Sequence, residues 1–312
     1  MSAEPLPVTV IGGYLGAGKT TLVNHLLRHA GGRRLAVLVN EFGDLPIDAD
    51  LIEAEEGNLI SIAGGCICCS FGDDLTAALR DLAALDPAPD HVLIESSGVA
   101  MPGGILLTVS LLETFRADGV VVVADAGTVR TAHDDAYIGD TIRRQLQAAD
   151  IVVLSKVDLL DGDTGGLRDW LSGITPGAIV EGIVGAREGA VAPDLLLGLG
   201  GAALGADGGS GPDTAHSDAL FDSVTLHPGA CDVHALAGQI VSGGFGVVRA
   251  KGHLRDANGV MRLVHLVGSR VEVTEGRDDR PEGLVCIGLR GQFDRAGLLD
   301  LAAAPIRRQS AG

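Results

Sequence analysis

Gly13-Tyr14-Leu15-Gly16-Ala17-Gly18-Lys19-Thr20 matches the pattern G-x-x-x-x-G-K-[ST], and what flanks it decides the fold. Before it, Leu6 to Ile11 is apolar and β-branched and reads as a buried strand. After it, Thr20 to His29 carries Leu22, Val23, Leu26 and Leu27 at helical spacing. Strand, glycine-rich turn and helix are the context in which this motif holds phosphate. The glycines let successive backbone N–H groups turn toward a β-phosphate, and the helix N-terminus adds its positive end. Gly13, Gly16, Ala17 and Gly18 are expected to line that loop, with Lys19 bridging the β- and γ-phosphates. The Thr20 hydroxyl is expected on Mg²⁺ and Thr21 on the α-phosphate.

Outward from this loop, apolar runs alternate with helical ones. Strands are expected at 35–39, 59–62, 91–94, 119–124, 151–154 and 178–181, and helices at 73–85, 141–149 and 165–172. Several of these strands lack alternation, as strands buried on both faces do. The fold class is therefore α/β: a P-loop NTPase with a mainly parallel sheet flanked by helices, followed by a smaller α+β C-terminal domain. We divide the chain into a nucleotide-binding domain (1–185), a Gly/Ala-rich linker (186–216) and the α+β domain (217–312). In that last domain strands are expected at 220–226, 245–254, 261–267, 269–273 and 284–289, with helices at 232–241 and 294–303.

Two further runs extend the nucleotide reading. Val92-Leu93-Ile94-Glu95 is an apolar strand ending in an acid, followed by Ser96-Ser97-Gly98. An acid so placed reaches Mg²⁺, and the glycine offers its N–H to the γ-phosphate. Lys19, Thr20, Glu95 and Gly98 are accordingly the candidate catalytic residues. Ser155-Lys156-Val157-Asp158 resembles the guanine-reading run Asn-Lys-x-Asp, with Ser155 in the Asn position. The Asp158 carboxylate would accept from N1–H and the exocyclic amine of guanine, a pair that adenine does not present, and the Lys156 stem would pack on the base. GTP and GDP are the expected ligands. Only three of the 23 basic residues are lysine, and Lys19 and Lys156 are two of them.

Gly64-Gly65-Cys66-Ile67-Cys68-Cys69 packs three of five cysteines into four residues. Thiolates suit a soft or borderline metal, Zn²⁺ or equally Co²⁺ or Ni²⁺ on chemistry alone. No second C-x₂-C unit exists to close a structural zinc site, so an open, labile site is expected on Cys66, Cys68 and Cys69. Glu41, in Asn40-Glu41-Phe42-Gly43, is the candidate carboxylate partner. Cys66 to Cys69 is also a C-x-x-C, so a redox dithiol stays open, as does a structural cluster. Cys231 and Cys286 read as packing cysteines. His25 and His29 share a helix face at i, i+4 but have no evident third ligand. Arg249-Ala250-Lys251-Gly252 reads either as a solvated strand face or as a contact for a partner or the other domain.

The net charge of −18 argues against nucleic acid, which needs a basic footprint. No apolar run is long enough for a membrane helix, Met1 to Pro7 lacks the basic start of a secretory signal, and clustered cysteines suit a reducing compartment; the cytoplasm is expected.

The order Gly-x-Leu-Gly-Ala-Gly-Lys-Thr-Thr, Asn-Glu-Phe-Gly, Gly-Cys-Ile-Cys-Cys, Glu-Ser-Ser-Gly, Ser-Lys-Val-Asp and Arg-Ala-Lys-Gly resembles the CobW-type metallochaperone GTPases, relatives of the hydrogenase and urease nickel-insertion GTPases. The resemblance implies a GTPase of low intrinsic rate, a CobW C-terminal domain, and a transition metal held by Cys66, Cys68, Cys69 and Glu41. Zinc is the commonest assignment in that family. It also implies a client metalloprotein, and a homodimer is a candidate assembly. The chain departs from the pattern at Gly64, Met101 and Pro46, and has only His216 where many members carry a histidine-rich stretch. The competing readings are a regulatory GTPase with structural cysteines, a cobalt or nickel insertion GTPase, and a GTP-dependent partner-binding module.

Overall fold

The computed structural model describes residues 5–40, 59–64, 73–160, 164–175, 183–185, 191, 193–197, 221–289 and 291–304. The chain divides into two compact units, 1–197 and 198–312.

In the first unit the described residues form a seven-stranded sheet, all of whose pairings are parallel. In chain order the strands are β1 (Leu6–Gly12), β2 (Leu35–Asn40), β3 (Leu59–Gly64), β4 (His91–Glu95), β5 (Phe115–Asp125), β6 (Ile151–Ser155) and β7 (Ile183–Gly185). Across the sheet they run β3-β2-β4-β1-β5-β6-β7. The helices are α1 (Lys19–Arg28), α2 (Asp73–Ala83), α3 (Pro102–Ser110), α4 (Val129–His133), α5 (Gly139–Gln147), α6 (Gly165–Ile174) and α7 (Pro193–Leu197). Parallel pairing demands a crossover after each strand, so every C-terminal strand end emerges at the same edge of the sheet. Val8, Val10, Val92, Ile94, Val120 and Val122 bury themselves against Leu79, Ile105 and Leu146 of the helices, which explains why these strands show no alternation.

The sequence pattern misses helices α3, α4 and α7 and the true start of β5. Helix α3 opens Pro102-Gly103-Gly104, and two glycines suppress helix propensity. Close packing compensates: a Cβ on Gly12 would lie 2.8 Å from Pro102 Cγ, so the start of α3 rests directly on β1. Strand β5 begins four residues before the expected Gly119. Arg116 and Asp118 look like loop residues, yet they are buried and face each other at 3.5 Å. The strand expected at 178–181 lies outside the described residues, which hold β7 at Ile183–Gly185.

Part of the expected linker also belongs to this unit. Val191, Leu195, Leu196 and Leu197 are buried. The Val191 carbonyl is 2.9 Å from His25 Nε2, and the Leu196 carbonyl lies 3.2 Å from the Thr9 hydroxyl. The rest of 186–216 lies outside the described residues.

The second unit contains an antiparallel sheet ordered β11-β10-β9-β12-β8. Its strands are β8 (Phe221–Leu226), β9 (Val247–Arg255), β10 (Met261–Val267), β11 (Arg270–Glu275) and β12 (Gly283–Leu289). Helices α8 (Val233–Ser242) and α9 (Arg295–Ala303) are capped by Asp232 and Asp294, whose carboxylates accept from the N–H groups of Ala235 and Gly297. Leu236 and Ile240 of α8 and Leu298 of α9 share a core with Ala250, Leu254, Val264, Leu284 and Cys286. Arg249 is 1% exposed, so the Arg-Ala-Lys-Gly strand is not a solvated face at that position. No helix among the described residues is long and apolar enough to cross a membrane.

Gly252 of that run is required by close strand approach: a Cβ there would drive into the carbonyl oxygen of Gly283 on β12. Gly252→Ala should destabilise the protein by about 1–3 kcal/mol through backbone displacement, read as an earlier midpoint in urea; an unchanged midpoint would show that β9 and β12 separate freely.

Candidate functional site

The phosphate loop is shaped by backbone geometry. Gly13, Gly16 and Gly18 have φ of 131°, 71° and 97°, values that side chains bearing a Cβ rarely adopt. At Gly13 a Cβ would also strike the Val123 carbonyl of β5. Gly18 sits at the N-cap of α1, so the first N–H groups of that helix point into the loop. Lys19 is largely buried, and its ammonium donates to the Tyr14 carbonyl across the loop at 3.3 Å.

Glu95 closes β4 and pairs in register with Ile11 of β1. The Thr20 hydroxyl donates to Glu95 Oε1 at 2.8 Å, so the two expected Mg²⁺ residues stand together. Two hard oxygens side by side at a phosphate loop fit Mg²⁺, which binds through few protein ligands and keeps several waters. After Glu95, the Ser96 N–H donates to Ile11 O, and the loop turns through Ser97 and Gly98. Gly98 abuts the phosphate loop: a Cβ there would lie 2.6 Å from Leu15 Cδ2 and 2.7 Å from Leu15 N.

The base-reading run lies at the end of β6. Ser155 Oγ is 2.6 Å from Ala17 O, so the hydroxyl in the Asn position ties this loop to the phosphate loop. Lys156 adopts φ 55°, the one positive φ at a non-glycine among the described residues, and its ammonium pairs with Asp125 Oδ2 at 2.8 Å. Such a conformation costs about 1–3 kcal/mol and is typical of functional loops. Asp125, at the end of β5, is a site residue that the sequence reading missed; its signal is an acid closing an apolar strand, the same as at Glu95. Asp158, the expected guanine reader, follows in a short 3-10 turn (Val157–Leu159) and is exposed.

Glu41, Cys66, Cys68 and Cys69 lie outside the described residues. Among the described residues no group of three or more His, Cys, Asp or Glu side chains is arranged to hold a metal. The His25 and His29 rings stack at 4.3 Å, and each has one nitrogen at a backbone carbonyl, Val191 O and His25 O respectively. Burial holds His25 below its ordinary pKa; the Val191 carbonyl works the other way, and His29 and Arg28 add to the lowering. Cys231 and Cys286 are both free and buried. Burial raises the Cys231 thiol, with Asp232 and Glu282 adding to it, and pushes Cys286 up to about 12. Both therefore serve packing, as the sequence suggested.

That burial has a measurable consequence. At pH 8 the native protein should show Cys286 unmodified by iodoacetamide until it is unfolded, where its pKa returns near 9.0. The sign follows: an unfolded thiol ionises first, so stability is lost as pH rises from 9.0 toward about 12. Native labelling of Cys286 as fast as in urea would contradict its placement in the core.

Comparison with known proteins bears on the family. The model of the CobW/HypB/UreG nucleotide-binding domain matches residues 7–180. A zinc chaperone CobW of Sinorhizobium sp is 31% identical over 344 residues, covering 93% of this chain and 95% of that protein. The zinc chaperone CobW of Pseudomonas aeruginosa is 35% identical over 62% of this chain, and the zinc chaperone YjiA of Escherichia coli 36% identical over 57%. These matches span 60% and 57% of the lengths of those two relatives. A crystal structure of Zn(II)-bound YjiA GTPase from E. coli covers 98% of this chain and 100% of its own, at 19% identity and a TM-score of 0.40, too low for any detail to transfer. With the family model spanning the phosphate loop, the acid-ended strand and the base-reading run, and a relative matched over nearly its whole length, the chain belongs to the CobW/HypB/UreG family of P-loop GTPases.

Proposed function

We propose that this protein is a GTP-hydrolysing metallochaperone that carries zinc on Cys66, Cys68, Cys69 and Glu41 and hands it to a client metalloprotein in the cytoplasm. One observation carries the reading. Asn40, the last residue of β2, pairs in register with Gly64, the last of β3, while Val39 pairs with Glu95 on the other side. Neighbouring strands lie about 4.8 Å apart. Glu41 follows Asn40 directly and Cys66 is two residues beyond Gly64, so both segments start from adjacent strand ends. The next strand end in that row is Glu95, bonded to Thr20. A metal cargo and a triphosphate would then share one edge of one sheet.

The chemistry is divided among the residues as follows. Lys19 and the amides of the loop from Gly13 to Thr21 hold the phosphates. Mg²⁺, when bound at Thr20 and Glu95, supplies charge neutralisation at the phosphates. The Gly98 N–H faces the γ-phosphate, and Asp158 reads guanine, with Ser155 and Lys156 fixing its loop. Thiolates with one carboxylate suit Zn²⁺, and the similarity to zinc chaperones supports zinc as the cargo. Because the segment after β2 responds to the γ-phosphate in this reading, the state of the nucleotide alters the ligand set and thereby metal affinity.

Two measurements test this. Zn²⁺ titrations under reducing conditions should give different affinities with a non-hydrolysable GTP analogue and with GDP, and Cys66→Ser/Cys68→Ser should abolish tight binding in both states. Equal affinities would remove the coupling, and tight binding by the double variant would remove the thiolate site. Separately, Asp158→Ala should weaken GDP binding by about 10–100-fold, the worth of charge-assisted hydrogen bonds, while leaving ADP binding unchanged. An unaltered GDP affinity would mean that guanine is read elsewhere.

A further inference from the structure

Gln145, on α5, is 1% exposed, and no sequence motif marks it. Its Nε2 donates to two carbonyls of the loop between β4 and α3: Gly98 O at 3.1 Å and Ala100 O at 2.9 Å. One buried amide therefore spends both of its N–H bonds on one turn of that loop. The turn is closed from within by the Ala100 N–H to Ser97 O at 3.1 Å. On its other side Gly98 presses on Leu15 of the phosphate loop with no room for a side chain. Gly98 is thus fixed between the phosphate loop and α5. The side chains next to it give no alternative anchor, because the hydroxyls of Ser96 and Ser97 are buried with no hydrogen-bond partner.

We propose that Gln145 is a positioning residue for GTP hydrolysis. The Gly98 N–H shares its peptide plane with the Ser97 carbonyl, which accepts the Ala100 N–H; by holding the carbonyls of Gly98 and Ala100 in the same turn, Gln145 keeps that turn closed and so keeps the Gly98 N–H aimed at the γ-phosphate. The inference rests on the reading of Gly98 as the γ-phosphate contact. GDP lacks that phosphate, so its binding does not depend on Gln145.

Gln145→Met keeps the length and apolar bulk of the side chain and removes both donors. Affinity for a GTP analogue and kcat should each fall about tenfold, the worth of two modest hydrogen bonds, while GDP affinity stays within about twofold. Gln145→Asn, which withdraws the amide by one methylene, should fall in the same ratio and serves if the Met variant does not fold. A lower melting temperature with an unchanged ratio of GTP-analogue to GDP affinity would make Gln145 merely structural and overturn the proposal. Two failures are distinguishable. If the unaltered protein itself binds the analogue and GDP equally, the Gly98 reading is wrong; if it discriminates and both variants discriminate equally well, only the Gln145 inference falls.

Discussion

The hydrogen-bonded seating of β1 between β4 and β5 is the constraint on which the nucleotide-binding end depends. Ile11 stands beside Glu95 on one side and Val121 on the other. That register delivers three groups to one spot: the phosphate loop leaves β1, the acid closes β4, and the β5 end carries Asp125 toward Lys156. The Thr20–Glu95 and Ser155–Ala17 hydrogen bonds are short because the strands beneath them are already in place. Shifting β1 by one residue would separate all of these pairs and reverse which of its side chains face each layer.

Much of this was legible in the sequence because it depends on short-range patterns. Apolar runs without alternation marked β4, the second half of β5 and β6, and the glycine pattern marked the loop whose positive φ values only glycine supports at low cost. The parts that escaped depend on partners far away in the chain. Arg116 and Asp118 extend β5 only because they meet each other and lie beside His91 and Thr9, a buried polar group that no local window reveals. Helix α3 starts on two glycines because β1 and α5 crowd it: a Cβ on Gly103 would lie 3.2 Å from Ala148 Cβ. Gln145 looks like one more polar residue on a helix until the loop carbonyls it holds are seen. The proposed ligands Glu41, Cys66, Cys68 and Cys69 lie outside the described residues; what the register adds is that β2 and β3, the strands before them, end side by side at Asn40 and Gly64.

The second unit shows the complementary case. Its strands and helices lie within about two residues of where alternation and helical spacing place them, both local signals. The Arg-Ala-Lys-Gly run did not yield to the same logic. Arg249 is among the largest fully buried side chains of the chain, and Gly252 is dictated by the backbone of β12 rather than by its own strand. A strand residue answers to the neighbour across the ladder as much as to its own sequence.

The stretch 191–197 alters where the first unit can be said to stop. Its carbonyls meet Thr9 on β1 and His25 on α1, the two elements that bracket the phosphate loop. Cutting the polypeptide at residue 185, where composition changes, would remove the Val191 carbonyl from His25 and the Leu196 carbonyl from Thr9, and uncover the faces that Leu195 and Leu196 seal. The first unit therefore runs to Leu197, a dozen residues beyond the point where the glycine-rich texture begins.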